Sequence, residues 1–267
     1  MNDKDLLLVG CGNMGGAMLR GWLREGMAGR ITVLTPHPQR VPPDVTSHAT
    51  VDGIRGEPRT VVLAVKPQIL ATAAPSLQRC VGPGTILLSV LAAVDLATLR
   101  RAFPRAGGIV RAVPNLPAAI GEGATALAGD TDEDDMRAEL SRLCASFGTV
   151  EWLSNEAALD AATSVSGCGP AFLFRFAEAV VQAGASQGLA PDAARRLFAQ
   201  TMLGAARLLG ESDATPAELV RRVASPGGVT LAGLAVLDEG DALTRLVGNA
   251  LASAATRNAE MAAKARD

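Results

Sequence analysis

Lysine is scarce in this chain of 267 residues: Lys4, Lys66 and Lys264 stand among 25 basic side chains. Histidine is scarcer still, with His37 and His48 alone, both in the first quarter. The four cysteines, Cys11, Cys80, Cys144 and Cys168, form no C-x-x-C pair and no Cys/His cluster. Structural zinc and a disulfide framework are therefore not expected, and reduced thiols in a cytoplasmic protein are the simplest account. Basic excess is also missing. A net charge of −2 leaves nothing to neutralise phosphates or an anionic membrane surface, so neither nucleic acid nor membrane is an expected partner. No uninterrupted apolar run is long enough to span a bilayer. The short apolar stretch after Met1-Asn2-Asp3-Lys4-Asp5 lacks the length and the small-residue cleavage site of a signal peptide, which leaves the cytoplasm as the expected location.

What is present is apolar and patterned. Apolar residues make up 48 % of the chain, enough for a core without staples, and the length suits two modest domains. Short apolar runs at 6–9, 31–34, 60–65, 86–91 and 108–113 read as strands, and helical spacing lies at 13–25, 69–79, 96–103 and 133–147. Strands alternating with helices predict a mostly parallel sheet covered on both faces. From about Glu156 onward the pattern holds no strand. Pro170 opens a helix running to about Ala185, Pro191 opens one ending near Gly210, and Thr215-Pro216-Ala217-Glu218 is a capping box with proline at the first helical position. A fourth helix is predicted from near Thr230, an interruption at Gly240-Asp241, and a last helix from about Ala242 to Ala263. The expected architecture is α/β: a Rossmann-like N-terminal domain over residues 1–155, then an all-α C-terminal domain over 156–267. The stretch Ala171-Phe172-Leu173-Phe174-Arg175-Phe176 is apolar almost all round, so its helix needs burial in a core or against another subunit. With the apolar faces at 197–209 and 243–251, it exceeds what one small helical domain can hide, which predicts an obligate homodimer, open to stacking into larger rings.

Gly10-Cys11-Gly12-Asn13-Met14-Gly15 is a G-x-G-x-x-G between the first strand and the first helix. The first glycine permits a tight turn, the second lets backbone approach a pyrophosphate, and the third lets helix and strand pack closely. The helix N-terminus then offers amides and a positive dipole end to phosphates. Dinucleotide binding is the reading. An NAD site carries an acid at the end of the second strand for the ribose 2′-hydroxyl, but here the stretch is Leu34-Thr35-Pro36-His37-Pro38-Gln39-Arg40. Without a carboxylate to repel a 2′-phosphate, NADPH is expected over NADH, with Thr35 as donor and Arg40 or His37 as charge; NADH stays open. The turn Ala64-Val65-Lys66-Pro67-Gln68 closes another strand and is expected to face the same crevice.

The second half lacks the usual acid–base residues of a dehydrogenase, having no histidine after His48 and only Lys264 near its end. Reduction of an imine fits that inventory, because an iminium carbon is already electrophilic and needs mainly to be oriented. Ser225-Pro226-Gly227-Gly228-Val229-Thr230 is a glycine-bearing loop feeding a helix, suited to an anion such as a carboxylate.

At this point the motifs carry a resemblance. Pro216, Leu219, Val223, then Ala224 through Thr230, then Gly233-Leu234 and Leu237-Asp238 are similar to the signature of the pyrroline-5-carboxylate reductase family. Gly10–Gly15 resembles that family's G-C-G-N-M-G, and Ala64–Pro67 its A-V-K-P turn. Arg111-Ala112-Val113-Pro114-Asn115-Leu116-Pro117-Ala118 resembles R-x-M-P-N-T-P-A. Ser166-Gly167-Cys168-Gly169-Pro170-Ala171 resembles S-G-S-G-P-A, and Arg257-Asn258-Ala259-Glu260-Met261 resembles R-S-x-E-L. The resemblance implies NADPH- or NADH-dependent reduction of 1-pyrroline-5-carboxylate to L-proline, the last step of proline biosynthesis. It also implies a dimerising helical domain with the substrate pocket near the dimer interface. Ser225, Gly227, Gly228, Thr230 and Asn115 would bind substrate, with Thr230 near the ring nitrogen and Ser225 beside it as the catalytic hydroxyls. Gly10, Cys11, Gly12, Asn13, Met14, Gly15, Thr35, Ala64, Val65, Lys66 and Pro67 would bind the cofactor. The chain departs from the family's pattern at Val113, Leu116 and Cys168, at Ala93 where glycine is frequent, and around Thr50-Val51-Asp52, where the family's asparagine is missing. The alternatives are a reductase of another cyclic imino acid, a β-hydroxyacid dehydrogenase lacking its lysine, and an NADP-binding regulator without catalysis.

Overall fold

The computed structural model describes residues 6–131 and 134–266. Its centre is an eight-stranded sheet in the order β3-β2-β1-β4-β5-β6-β7-β8. The strands are β1 (Leu6–Val9), β2 (Ile31–Leu34), β3 (Thr46–His48), β4 (Thr60–Leu63), β5 (Ile86–Ser89), β6 (Gly108–Val113), β7 (Gly123–Gly129) and β8 (Gly148–Trp152). Pairing is parallel from β3 through β6, antiparallel between β6 and β7, and parallel again between β7 and β8. Chain order reverses between β1 and β4, so a crevice opens beyond their carboxyl ends, where dinucleotides bind in open α/β sheets.

The central strands are buried along their whole length, which is why they read as continuous apolar runs. Alternate side chains feed opposite cores. Leu6 and Leu8 join Met18, Trp22, Leu88 and Phe147 on one face, while Leu7 and Val9 join Leu63, Leu87, Leu99 and Phe103 on the other. The covering helices are α1 (Asn13–Arg24), α2 (Leu70–Leu77), α3 (Leu96–Ala102) and α4 (Asp134–Ala145). Residue 133, expected to start the last of these, lies outside the described residues. A further helix, α5 (Glu156–Ala162), runs into a π-helical turn at Thr163–Gly167.

Three strands were not expected, and each has a physical reason. β3 is three polar residues at the sheet edge, too short to show alternation. β7 is mostly glycine and alanine, weak strand formers held by pairing on both sides. β8 opens on Gly148 at φ +139° and is a partly exposed edge. β4 and β5 stop two residues short of their expected ends because the chain turns there toward the crevice.

From Glu156 onward the described chain is helical. By compactness the protein divides into Met1–Cys168 with Ala254–Asp267, and Gly169–Ser253. The second unit contains α6 (Gly169–Ser186), α7 (Pro191–Glu211), α8 (Pro216–Val223) and α9 (Val229–Asp238). It also holds the start of α10 (Ala242–Arg266), after a turn where Gly240 takes φ +53°. The capping box at α8 is formed: Thr215 Oγ1 accepts the Glu218 N–H at 3.3 Å, and the Glu218 carboxylate accepts the Thr215 N–H at 2.7 Å. Those donations from the Thr215 backbone and hydroxyl hold the Glu218 carboxyl below its ordinary range. Within this unit Ala194 is the one described residue that is buried in the single chain. Among the described residues no helix is long and apolar enough to cross a membrane.

Candidate active site

The three glycines after β1 differ in what requires them. Gly10 has φ +94°, and a Cβ there would sit 2.6 Å from the Ala64 carbonyl oxygen. A Cβ on Gly15 would sit 2.3 Å from the Gly10 oxygen. Both are demanded by the protein's own packing. At Gly12 a Cβ would meet nothing within 4 Å, and φ is an ordinary −79°. The chain itself does not need glycine there, and the bare backbone is open to close approach by a ligand. Gly12 is also the N-cap of α1, no side chain caps that helix, and no acid stands in its first turn. The helix begins bonding with the Gly16 N–H to Gly12 O at 2.8 Å, so the amides ahead of it are without intrahelical acceptors. This cradle fits a pyrophosphate. Burial pushes the Cys11 thiol up, with Arg20 pulling the other way, so Cys11 brings no negative charge to the turn at neutral pH.

The turn after β4 lies directly against this loop. Ala64 is anchored by its N–H to Val9 O at 2.8 Å, and its carbonyl is the atom that forbids a side chain at Gly10. Val65 and Pro67 are half-buried and Lys66 is exposed. After β2, Thr35 is buried; its N–H donates to His48 O at 3.0 Å and its Oγ1 accepts the His37 N–H at 3.3 Å. Arg40 ends a short turn whose N–H returns to His37 O at 3.0 Å. The first acid after β2 is Asp44, past that turn.

Asn115, at the end of β6, is buried and uses both ends of its amide on backbone. Nδ2 donates to Ser166 O at 3.1 Å and Oδ1 accepts the Ala124 N–H at 2.9 Å. It thereby ties β6 to the start of β7 and to the π-helical turn. Sequence reasoning passed over the partners of Arg111. That side chain is 6 % exposed and pairs with Glu156 at 2.7 Å and Asp160 at 3.3 Å. The available signal was a charge inside an otherwise apolar strand, which demands a partner once buried. Ala93, after β5, holds φ +61° while buried. With Pro67, Gln68 and Val94, and with Arg257 and Lys264 from the end of α10, it lines a cleft of about 740 Å³.

In the helical unit the predicted loop is formed as a turn into α9. Gly227 takes φ +69°, and the Gly228 N–H donates to Ser225 O at 3.0 Å. A Cβ on Gly228 would lie 2.6 Å from Ser225 Oγ. Gly228 is the N-cap of α9, no side chain caps it, and its first turn holds no acid. Thr230, half-buried in that turn, has no hydrogen-bond partner for its hydroxyl among the described residues. Ser225, Gly227, Gly228 and Thr230 are thus brought together, while Asn115 and the residues expected to bind cofactor lie in the sheet-bearing unit.

Comparison with known proteins supplies the rest. Residues 156–261 match a model described as pyrroline-5-carboxylate reductase dimerisation, and 6–93 match one described as NADP oxidoreductase coenzyme F420-dependent. A pyrroline-5-carboxylate reductase of Pseudomonas aeruginosa is 32 % identical over 98 % of both chains. The chain belongs to the pyrroline-5-carboxylate reductase family. A reductase of Pisum sativum is also 32 % identical, over 95 % of this chain and 94 % of that one. Among solved structures, the Coxiella burnetii reductase superposes with a TM-score of 0.91 at 29 % identity, over 97 % of this chain and 99 % of that one. The Plasmodium falciparum enzyme, solved with NADP bound, gives 0.81 at 25 % identity over 98 % and 99 %. The reductase is accordingly an NAD(P)H-dependent oxidoreductase acting on a cyclic imine, with a Rossmann-like sheet domain and a helical region that dimerises.

Proposed function

We propose that this reductase converts 1-pyrroline-5-carboxylate to L-proline by hydride transfer to an imine that carries its own proton. The observation carrying the mechanism is the start of α9, an uncapped helix N-terminus beside a Thr230 hydroxyl that has no partner among the described residues. The substrate carboxylate binds the Gly227 amide, the amides of the first turn of α9 and the Ser225 hydroxyl. Gly228 contributes through its missing side chain, since its own N–H is engaged by Ser225 O. Thr230 Oγ1 accepts the iminium N–H and holds the ring nitrogen in place. Bound NADPH supplies the hydride. When the imine carbon receives it, the C=N π pair becomes a lone pair on nitrogen, and the secondary amine takes its next proton from water. No histidine or lysine need act as an acid, and the helical unit offers no histidine.

In this proposal Gly10, Cys11, Gly12, Asn13, Met14 and Gly15 carry the pyrophosphate, and Ala64, Val65, Lys66 and Pro67 form the opposite lip. Thr35 stands at the adenosine ribose, where the missing carboxylate favours NADPH. Asn115 is counted with the substrate-binding residues, its amide already held by backbone at both ends. The sheet domain and the dimerising region divide at 155/156, where the strand pattern ends, ahead of the 168/169 division by compactness; the dimers assemble further into a ring, and the enzyme works in the cytoplasm. The test is NADPH oxidation on adding pyrroline-5-carboxylate, with proline identified as product and kcat/KM followed against pH. Activity should fall as the imine loses its proton. A profile requiring an additional protonated group on the protein would contradict the mechanism, and absence of NADPH oxidation would contradict the activity.

A further inference from the structure

The β5–α3 connection, Val90–Asp95, contains a buried alanine in a left-handed conformation, φ +61°, which a residue with a Cβ rarely adopts. Such a shape persists only where the surroundings over-determine it. Three polar side chains do so. Ser89 Oγ accepts the Leu91 N–H at 3.3 Å, Asp95 Oδ1 accepts the Thr98 N–H at 2.7 Å, and Glu156 Oε1 accepts the Leu96 N–H at 2.8 Å. The last differs from the others because Glu156 belongs to α5, 60 residues on. The same oxygen takes the Arg111 guanidinium at 2.7 Å, and Arg111 is held in turn by Asp160. An ion pair with one buried and one partly exposed member is poor evidence of net stabilisation. This one instead places a carboxylate oxygen where the loop needs an acceptor. The loop ends in the cleft shared with Pro67 and Gln68, beside the Ala64–Pro67 turn.

We propose that Glu156 is a positioning residue for the cofactor: oriented by Arg111, it fixes the β5–α3 loop at the rim of the dinucleotide crevice through the Leu96 amide. The inference rests on reading that crevice as the NADPH site. Glu156→Gln keeps an acceptor oxygen, Glu156→Ala removes it, and Leu96→Pro removes only the donor. Proline suits that position, the first of α3, which follows an Asp95 already extended at φ −81°, ψ 164°.

NADPH dissociation constants are measured by fluorescence titration without substrate, alongside steady-state kinetics and thermal melts. Glu156→Ala and Leu96→Pro should each weaken NADPH roughly three- to tenfold, the scale of one charge-assisted hydrogen bond only partly transmitted to the ligand. The KM for pyrroline-5-carboxylate should move less than about twofold. Glu156→Gln should stay within about twofold of wild type for NADPH, since the amide keeps its acceptor. Should Glu156→Ala fail to fold, Leu96→Pro carries the test with the Arg111–Glu156 pair intact. Unchanged NADPH affinity in folded Leu96→Pro, or a Glu156→Gln as impaired as Glu156→Ala, overturns the proposal. Failure of the parent reading is seen separately, as wild-type protein that binds no NADPH or does not oxidise it with pyrroline-5-carboxylate.

Discussion

Leu7, Leu8 and Leu87 of the sheet-bearing unit are completely enclosed, whereas Leu197, Leu208 and Leu246 of the helical unit are 61 %, 63 % and 68 % exposed in the single chain. Both sets stand in regular elements with clear apolar patterning. The sheet domain closes its two cores within one chain, because helices return across both faces. Among the described residues the helical region forms no comparable core, and Phe172, Leu173, Phe174 and Phe176 remain substantially exposed along α6. Full burial of such a side chain is worth about 1.5–3 kcal/mol, and these, 40–58 % exposed, forgo roughly half of it until covered. The region 156–261 matches a dimerisation domain, so a second copy is at hand to cover such faces. Patterning reports that a face must be buried; it does not report whether the cover comes from the same chain.

The sharpest way to break this contrast is Leu208→Glu on α7. It should yield monomers by light scattering and cut turnover at least about 100-fold, a loss of some 2.7 kcal/mol or more. Hydrogen exchange should then show α6–α9 unprotected with β1, β4 and β5 still protected. A second comparison is internal to the glycine loop. Gly10→Ala and Gly15→Ala should each destabilise the protein by about 1–3 kcal/mol, since a Cβ meets backbone there. Gly12→Ala should melt like wild type and raise the NADPH KM about tenfold or more, losing about 1.4 kcal/mol of binding. Equal melting losses for all three would show that Gly12 is a packing residue. In the helical unit, Thr230→Val should keep the fold and lower kcat/KM roughly 10- to 100-fold, the scale of one hydrogen bond to a charged partner. An unaffected rate would remove Thr230 from the site. Ala93→Gly should raise stability by about 0.5–1 kcal/mol by relieving the left-handed alanine, read as a Tm increase of roughly 1–4 °C. Smallest of all, His48→Gln should leave kcat unchanged and His37→Gln should alter only the NADPH KM. Loss of turnover in either with NADPH still bound would show that the substrate does not carry its own acid.

Much of this was legible in the sequence where residue type and local geometry coincide. The glycine loop, the strands β1, β2, β4, β5 and β6 and the capping box at Thr215 are local features, and the structure forms them where the spacing puts them, with β4 and β5 two residues shorter. Asn115 was marked by its motif, but its partners were not, because Ser166 and Ala124 approach it only once β6, β7 and the π-helical turn are assembled. The same holds for Glu156, whose carboxylate meets Leu96 across 60 residues. β7 stayed hidden for the opposite reason. Its Gly-Ala-Thr-Ala-Leu-Ala-Gly carries almost no intrinsic strand preference, and pairing on both sides supplies what propensity does not.

The division of labour between the two halves is tested most directly by measuring NADPH affinity and turnover on one sample of monomeric Leu208→Glu. If the cofactor site is complete within the sheet domain and the substrate site needs the dimer, NADPH should bind within about threefold of wild type, or about 0.7 kcal/mol. Turnover of pyrroline-5-carboxylate should meanwhile be lost. A monomer that reduces pyrroline-5-carboxylate at the wild-type rate, or one that has lost NADPH along with turnover, would contradict the account.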